Sequence, residues 1–480
     1  MKIALVVPDK TKKYNEACAP LNLAYLASYI RKFHPEIEIK IFDGSFEDTC
    51  LGVQLFGANI VGVTATTPQA PTAYVLCSNL RNQKYLGDDL QSHTYYEKHN
   101  RLIVMGGIHA TCMPQEALQH ADCVVTGEGE KAFLKIVEDY LAGKKTFGIV
   151  TGEPVEELDT IPSPAFDLID NKYYLERGAS FPGLVAPVVA MVTSRGCPGG
   201  KCTFCWNSVR SAKVRYFSAE RIATEILFFR EKYGINSVFF NDDEFLINKK
   251  RLVEIVRVFK EKGISSWIKW GCQAKVQTIS DRETLRLAKS AGCVVISTGF
   301  ESRNQRILSY LKGGSTTLLQ QEKAVQSAKE CGVILGGSFI FGTPTETLEE
   351  MKRVFRWFEQ NDSITFFGLN TLIPYPGTPV WNYAKRIKSL PDQVDYERLV
   401  PTNYPEQTYI INLAVNPKIY SRFVKDLAYC SWLYSKSRSH KGFKPFFGLA
   451  KNKTFWYVLL VHPGRFLHMV KTVAVQRVVY

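Results

Sequence analysis

Three cysteines lie within nine residues of one another near the middle of the chain. They are Cys197, Cys202 and Cys205, in the run SRGCPGGKCTFC that begins at Ser194. Thiolates this close in sequence can converge on one metal centre, and the glycines between them allow tight backbone turns. Three thiolate ligands would leave one iron of a [4Fe–4S] cluster open to a small molecule. The spacing therefore favours an iron–sulfur cluster.

Structural zinc is the alternative, and it normally takes four protein ligands. The fourth would have to come from a distant residue, for which the candidates are Cys272, Cys293 and His109. The N-terminus has no apolar core long enough for a signal peptide, and no run of about 20 apolar residues predicts a transmembrane helix. We therefore expect a cytoplasmic protein, in which cysteines such as Cys331 are core residues rather than disulfide partners.

Short apolar runs alternate with helical patterns over residues 1–145, which predicts a doubly wound parallel sheet. In such sheets ligands bind beyond the carboxyl ends of the strands. Two glycine-containing segments, GGIHAT at 106–111 and VTGEGE at 125–130, extend from predicted strands. Their glycines would permit close backbone approach to a ligand.

A second alternation follows a proline-containing linker at residues 146–185. Six strand–helix units over residues 186–395 predict a partial (β/α)6 barrel, whose functional loops follow the strands. The cysteine run comes directly after the first of these strands. Residues 396–480 lose the alternation, and we expect them to form a mostly helical, basic and aromatic C-terminal region.

The cysteine run and the segments after it resemble the radical S-adenosylmethionine (SAM) superfamily. The first domain resembles the cobalamin-binding domain found in class B radical SAM methyltransferases. The usual family spacing is CxxxCxxC, whereas four residues separate Cys197 from Cys202 here. Besides GGIHAT and VTGEGE, the matching segments are APLNLAYLA (19–27), FFNDDEF (239–245), GFES (299–302), GGSFIFGTPTET (336–347) and YPGTP (375–379).

The resemblance implies a [4Fe–4S] cluster on the three cysteines, with SAM at its open iron and cobalamin between the two domains. It places Phe204 against the SAM adenine. The residues that it places near SAM or the substrate are Asp242, Asp243, Lys275 and Glu301. The residues that it places near cobalamin are Gly106, Gly107, His109, Gly127, Glu128 and Gly129. Since the D-x-H-x-x-G motif is missing, a role for His109 as the cobalt ligand is not favoured.

Several of these residues also have a structural interpretation. Asp242 and Asp243 suit a solvated turn, and Glu301 suits a helix cap. Gly342 and Pro344 suit a turn whatever the family. Lys275 stands where relatives often carry arginine, and an ammonium group would hold a carboxylate less specifically than a guanidinium.

The implied reaction is one-electron cleavage of SAM, with an external donor of the flavodoxin or ferredoxin type. The resulting 5′-deoxyadenosyl radical would take a hydrogen atom from the substrate. With cobalamin, the implied outcome is methylation of an unactivated carbon in a small-molecule or lipid-like substrate. The alternatives are a radical SAM cyclase, oxidase or carbon–carbon coupling enzyme, and a non-catalytic zinc-stabilised binding protein. A dinucleotide-binding dehydrogenase is disfavoured because no G-x-G-x-x-G follows the first strand.

The net charge of +14 is concentrated at the C-terminus, where residues 431–480 contain nine basic residues and no Asp or Glu. Bulky apolar residues beside basic groups suit an anionic membrane surface, which predicts peripheral contact with the inner membrane. Packing onto the barrel is the alternative, and nucleic acid is not expected because no RNA-binding module is recognisable. The basic residues are Lys436, Arg438, Lys441, Lys444, Lys451, Lys453, Arg465, Lys471 and Arg477. The aromatic residues interleaved with them are Trp432, Tyr434, Phe443, Phe446, Phe447, Phe455, Trp456, Tyr457 and Phe466.

Overall fold

Two six-stranded sheets, each entirely parallel, follow one another along the chain. The computed structural model describes residues 1–9, 19–82, 101–177, 181–208, 213–400, 408–439 and 449–475. The first sheet has the order β2-β1-β3-β4-β5-β6. Its strands are β1 (Lys2–Val7), β2 (Glu38–Asp43), β3 (Ile60–Thr64), β4 (Leu102–Gly106), β5 (Cys123–Gly127) and β6 (Gly148–Gly152).

Helices cover both faces of the first sheet, which confirms the predicted doubly wound architecture. Successive residues of β1 are fully buried: Ile3 and Leu5 pack against α1 and α6, whereas Ala4 and Val6 pack against α2 and α3. The strand order changes direction between β1 and β3, so a ligand crevice is expected beyond their carboxyl ends. The helices are α1 (Leu21–Phe33), α2 (Thr49–Phe56), α3 (Ala70–Asn82), α4 (Gly107–Cys112), α5 (Pro114–Leu118), α6 (Glu130–Leu141) and α7 (Asn171–Arg177).

The second sheet has the order β14-β13-β12-β11-β10-β7, so β7 and β14 are its edges and the predicted partial barrel is confirmed. Aromatic side chains fill its core; the rings of Phe240 and Phe245 stack with centroids 4.3 Å apart beside Trp270. Its strands are β7 (Val188–Met191), β10 (Ser237–Phe240), β11 (Lys269–Gln273), β12 (Cys293–Glu301), β13 (Ile334–Phe341) and β14 (Ile364–Thr371). Its helices are α8 (Ala219–Tyr233), α9 (Lys249–Glu261), α10 (Val276–Ile279), α11 (Arg282–Ser290), α12 (Gln305–Lys312), α13 (Leu318–Cys331), α14 (Leu348–Gln360) and α15 (Pro379–Arg386).

A short antiparallel ribbon of β8 (Ser194–Arg195) and β9 (Arg215–Tyr216) stands beside the second sheet. It interrupts the connection between β7 and α8. Every residue from 196 to 214 lies between its two strands, and these include all three cysteines of the predicted cluster site. The ribbon therefore forms the neck of what we call the cysteine loop, of which the structure describes residues 196–208 and 213–214.

The C-terminal region is mostly helical in its described parts, as predicted, and covers the edge strand β14. Its helices are α16 (Pro417–Ser439), α17 (Lys453–Val461) and α18 (Pro463–Val475). Tyr420 near the start of α16 contacts Thr371 at the end of β14, and Arg438 near the end of α16 contacts Ile364 at the start of β14. The helix therefore runs antiparallel to the strand. Both α17 and α18 pack on α16.

The aromatic residues of this region divide between the core and the surface. Tyr434, Phe455 and Phe466 are buried, whereas Trp456 is half exposed. Packing on the barrel thus accounts for part of the pattern only. No helix among the described residues is both long and apolar enough to cross a bilayer. Of the predicted basic and aromatic residues, Lys441, Lys444, Arg477, Phe443, Phe446 and Phe447 lie outside the described residues, as does the side chain of Lys471.

Replacing the buried Arg438 with Met should destabilise the protein by about 3 kcal/mol. The Arg438 guanidinium donates to the carbonyls of Ile364 (2.7 Å) and Phe358 (3.0 Å), and Met would remove both of these buried hydrogen bonds. Urea unfolding followed by circular dichroism measures the change. The exposed Lys425, on the same helix, provides the control variant Lys425→Met. Equal midpoints for the two variants would contradict this account of how α16 is fixed.

Candidate active site

A cavity of about 430 Å³ lies where the carboxyl ends of the first sheet face the first loops of the barrel. Thr64, Gly106 and Gly127, the last residues of β3, β4 and β5, line one side of it. Ser194 and Gly196, at the neck of the cysteine loop, line the other side. A ligand in this cavity would therefore touch both domains. The predicted cobalamin contacts that line the cavity are Gly106, Gly107, Gly127, Glu128 and Gly129.

Two of these glycines have backbone conformations and surroundings that exclude other residues. Gly107 has φ +89°, and a Cβ there would lie 2.6 Å from the Thr64 hydroxyl. Gly127 has φ +81°, and a Cβ there would lie 3.0 Å from the Gly152 carbonyl oxygen. L-residues with a Cβ rarely adopt such φ values. The cavity wall therefore depends on glycine at these positions.

His109 lies away from the cavity lining, in a buried contact between the first domain and the segment after the barrel. Its Nε2 is 2.8 Å from the Tyr74 hydroxyl, and the Tyr396 ring packs edge-on against the imidazole. Glu116 accepts hydrogen bonds from both tyrosines. Burial lowers the pKa of His109 to about 4, so the imidazole is neutral at physiological pH. A contact between His109 and cobalamin stays a prediction.

The three cysteines of the loop are partly buried and electrostatically coupled. Burial raises the pKa of Cys202, while the nearby ammonium groups of Lys312 and Lys275 lower it. Burial also raises the pKa of Cys205, to about 11. Within the described part of the chain, no three His, Cys, Asp or Glu side chains come together as ligands for one metal ion.

The chemistry of the donor set fits an iron–sulfur cluster, because cations surround the thiols. A Cβ at Gly199 would lie 2.2 Å from Lys275 Nζ and 3.7 Å from Cys197 Sγ, so this glycine lets the lysine reach the loop. Thiolates and sulfides carry net negative charge, which nearby ammonium groups stabilise. Cys197, Cys202 and Cys205 would hold the cluster, with Lys275 beside them.

A second cation reaches the loop from α12. Lys312 is the last residue of that helix, and its ammonium group lies 2.7 Å from the Glu301 carboxylate and 5.7 Å from the centre of the Phe204 ring. The Thr203 N–H donates to the Leu311 carbonyl at 3.0 Å, which joins the helix end to the loop. Burial alone would lower the pKa of Lys312, but Glu301 and Cys202 raise it, so the group stays charged.

The sequence did not single out Lys312. The signal that could have found it is a lysine at a helix end directly before Gly313 and Gly314. The carboxylate of Glu301 does not cap a helix, because it forms an ion pair with Lys312. The backbone of Glu301 has a φ of +61°, which is unusual for a glutamate. Glu301 therefore fixes a positive charge beside Cys202.

Asp242 and Asp243 lie in different environments. Asp242 is buried and accepts hydrogen bonds from the Thr193 hydroxyl and the Ser194 hydroxyl, both at 2.6 Å, so it is not part of a solvated turn. It joins the end of β10 to the start of the cysteine loop's neck. Asp243 lines the cavity, and desolvation raises its pKa although an Asn207 hydrogen bond opposes the shift. Asp243 is thus the carboxyl group of this segment that a ligand can reach.

Two family models match the chain. Residues 191–358 match the radical SAM superfamily, and residues 11–137 match the B12 binding domain. The first match contains the cysteine loop, Lys275 and Glu301, and the second contains the glycine segments that line the cavity. Residues from both matched regions line the cavity.

Several known proteins resemble most of the chain. An uncharacterized methyltransferase of Pyrococcus horikoshii is 34% identical, covering 80% of this chain and 83% of that protein. The bacteriochlorophyllide d C-12(1)-methyltransferase of Chlorobaculum tepidum is 24% identical, covering 80% and 77%. Among solved structures, the radical SAM methyltransferase TsrM of Kitasatospora setae, with cobalamin and a [4Fe–4S] cluster bound, has a TM-score of 0.64 at 19% identity, covering 88% and 84%.

Glu244→Gln should change how stability depends on pH. Burial raises the pKa of Glu244 to about 7, while a hydrogen bond from the backbone N–H of Lys275 to its carboxylate opposes the shift. Because the unfolded carboxyl titrates near its ordinary value of 4.5, the wild type should lose stability as pH rises from 4.5 to 7, by on the order of 2 kcal/mol. Glutamine mimics the protonated form and should not show this loss.

Thermal unfolding between pH 5 and pH 8 measures the effect. The exposed Glu231 on α8 provides the control variant Glu231→Gln, which should follow the wild-type profile. A constant difference between wild type and Glu244→Gln across this range would refute the prediction.

Proposed function

We propose a methyl transfer, because the chain belongs to the radical SAM superfamily and carries a B12-binding domain. Its cofactors are a [4Fe–4S] cluster, SAM and cobalamin. The proposed acceptor is an unactivated carbon of a small-molecule or lipid-like substrate. The observation that carries the proposal is the cavity between the glycine segments of the first domain and the neck of the cysteine loop. A substrate bound in this cavity would lie within reach of both cobalamin and SAM.

The cofactors supply the reactive chemistry when bound: the cluster delivers one electron for the cleavage of SAM, and cobalamin carries the methyl group. An external one-electron donor of the flavodoxin or ferredoxin type would reduce the cluster. The chain's own residues hold and orient these groups. We assign the cluster to Cys197, Cys202 and Cys205, and the charge balance around it to Lys275 and Lys312.

Reactive radicals must be kept from solvent, and the cavity lining suits that requirement. Tyr25, Phe133 and Trp206 contribute ring surface to it, while Asp243 contributes a reachable carboxylate. We assign Asp243 to the amino group of SAM or to a polar group of the substrate. Phe204 packs near Lys312 rather than in the lining, so its proposed contact with the SAM adenine depends on SAM binding at the cysteine loop.

Cys202→Ala should remove the activity and reduce the iron content. With only two thiolates left in the loop, the cluster would lack a ligand. Anaerobically reconstituted wild type, given dithionite and SAM, should form 5′-deoxyadenosine, and the variant should stay at background. Cys331→Ala replaces a partly buried cysteine at the end of α13 and serves as the control. Full iron content and cluster absorbance in Cys202→Ala would overturn the assignment of the ligands.

Product analysis separates the proposed reaction from its alternatives. Mass spectrometry of the anaerobically purified protein should find bound cobalamin, and turnover with a substrate should add one methyl group. Bound cobalamin with no methylated product would favour ring closure, oxidation or carbon–carbon coupling instead. One zinc ion per chain with no sulfide would select a zinc-stabilised binding protein.

We also propose that the C-terminal helices contact an anionic membrane surface. Their exposed apolar face consists of Trp456, Leu460 and Val461 on α17 and Leu467 on α18. Lys451 and Lys453 lie exposed beside it, and residues 431–480 contain no carboxylate side chain that would repel an anionic lipid. Exposed apolar groups next to basic groups bind at the interface of such membranes. A lipid-like substrate would be reached from the same surface.

The double variant Trp456→Ser/Leu460→Ser should bind anionic vesicles at least about tenfold more weakly than the wild type, because two interfacial side chains are lost. Co-sedimentation of the full chain with phosphatidylglycerol-containing vesicles measures this, and pure phosphatidylcholine vesicles should bind neither protein. Leu55→Ser/Leu319→Ser, which replaces two exposed leucines of other helices, is the matched control. Equal binding by all three proteins would exclude this face as the contact.

A further inference from the structure

The neck of the cysteine loop has an unfavourable pair of charges. In the antiparallel ribbon, Arg195 of β8 lies directly opposite Arg215 of β9. Like charges at directly opposed positions destabilise the pairing of two strands. The ribbon has only two residue pairs, so few other contacts within it can offset the repulsion. Pairing of β8 with β9, which closes the neck, therefore needs negative charge from outside the ribbon.

The negative charge comes from the first domain. Glu128 Oε2 accepts hydrogen bonds from Nη1 of Arg195 (3.2 Å) and Nη1 of Arg215 (3.1 Å), while Oε1 accepts from Nη2 of Arg215. Glu130 accepts from Nη2 of Arg195 at 2.6 Å. Two carboxylates thus balance two guanidinium groups, and both carboxylates are more than nine-tenths buried. Removing one partner would leave an uncompensated buried charge.

The same four side chains line the cavity. Glu128 and Glu130 belong to its wall on the first domain, and Arg195 and Arg215 belong to its wall at the neck. The Arg195 guanidinium also lies 5.5 Å from the centre of the Tyr25 ring, which lines the cavity as well. A ligand that fills the cavity is therefore in contact with the groups that close the neck.

We propose that Glu128 and Glu130 are positioning residues for the cysteine loop, and that ligand binding in the cavity is coupled to the conformation of the three thiols through Arg195 and Arg215. These arginines engage the carboxylates of the VTGEGE segment at the wall of the cavity. The proposal rests on the proposed function for the identity of the ligand, cobalamin. Closure of the neck itself does not depend on that identity.

Alkylation of thiols in the protein without cluster or SAM tests the coupling directly. Iodoacetamide labelling followed by peptide mass spectrometry gives a rate for each cysteine, and cyanocobalamin, whose cyanide ligand is not readily displaced by thiols, is the probe for the cavity. In the wild type the three loop cysteines should react slowly, and more slowly with cyanocobalamin. In Glu128→Gln they should react at least about tenfold faster, with no protection by cyanocobalamin. The rate at Cys331, outside the site, should not change.

A matched variant separates positioning from general loss of stability. Glu225→Gln neutralises another buried glutamate, which pairs with Arg221 at 2.5 Å on α8, outside the ribbon and the loop. Its loop cysteines should react at the wild-type rate. Equal acceleration in Glu225→Gln and Glu128→Gln would overturn the proposal, as would protection by cyanocobalamin that persists in Glu128→Gln.

Arg195→Lys provides a second variant in case Glu128→Gln does not fold. Lysine keeps the charge but cannot bridge Glu128 and Glu130 as the guanidinium fork does. The loop cysteines should then react at a rate between those of wild type and Glu128→Gln; a wild-type rate would overturn the proposal. Because the assay uses neither cluster nor SAM, failure of the wild type to form 5′-deoxyadenosine would count against the proposed function only.

Discussion

Parallel pairing of strands places all carboxyl ends at one edge of a sheet, and the whole site depends on this constraint. The chain builds two parallel sheets and turns their carboxyl edges toward each other. In the first sheet the ends of β4 and β5 pass into segments whose glycines allow a ligand to approach the backbone closely. In the second, the end of β7 passes into the cysteine loop. Because the two carboxyl edges face each other, the loops that follow these strands enclose a cavity bounded by both domains.

Buried charges in this region are paired across elements, and the pairing links parts of the chain that are distant in sequence. Lys312 of α12 is paired with Glu301 of β12 beside the cysteines, and Asp242 binds the residues that lead into the ribbon. Since an unpaired charge in a buried place is costly, each pair fixes the relative position of its elements. The loop that would hold the cluster is thus bordered by charges with fixed positions.

The sequence predicted the architecture well because periodicity and strand–helix alternation are local signals. Both parallel sheets, the partial barrel and the helical C-terminal region follow from such patterns, and the residues near the cavity could be selected from glycine segments at strand ends. Pairing between distant charges has no local signal. Arg195 and Glu128 are 67 residues apart, and nothing near either residue indicates the partner. For the same reason the sequence did not identify Lys312. His109 belongs to a segment that lines the cavity, but its imidazole contacts Tyr74 and Tyr396.

The C-terminal helices show how one composition can serve two purposes. Phe455 and Val458 lie three residues apart on the buried side of α17, whereas Trp456 and Leu460 lie four apart on the exposed side. Composition alone could not separate these sets, but helical spacing does. Elsewhere in the chain basic residues are nearly balanced by acidic ones, and many of them are held in ion pairs with defined partners. In residues 431–480 no acidic residue is present, so the excess charge has to be balanced by partners from other segments, as for Arg465 with Glu359, or by solvent ions and ligands. The anionic surface proposed as the partner would supply such ligands at the place where the apolar face is exposed.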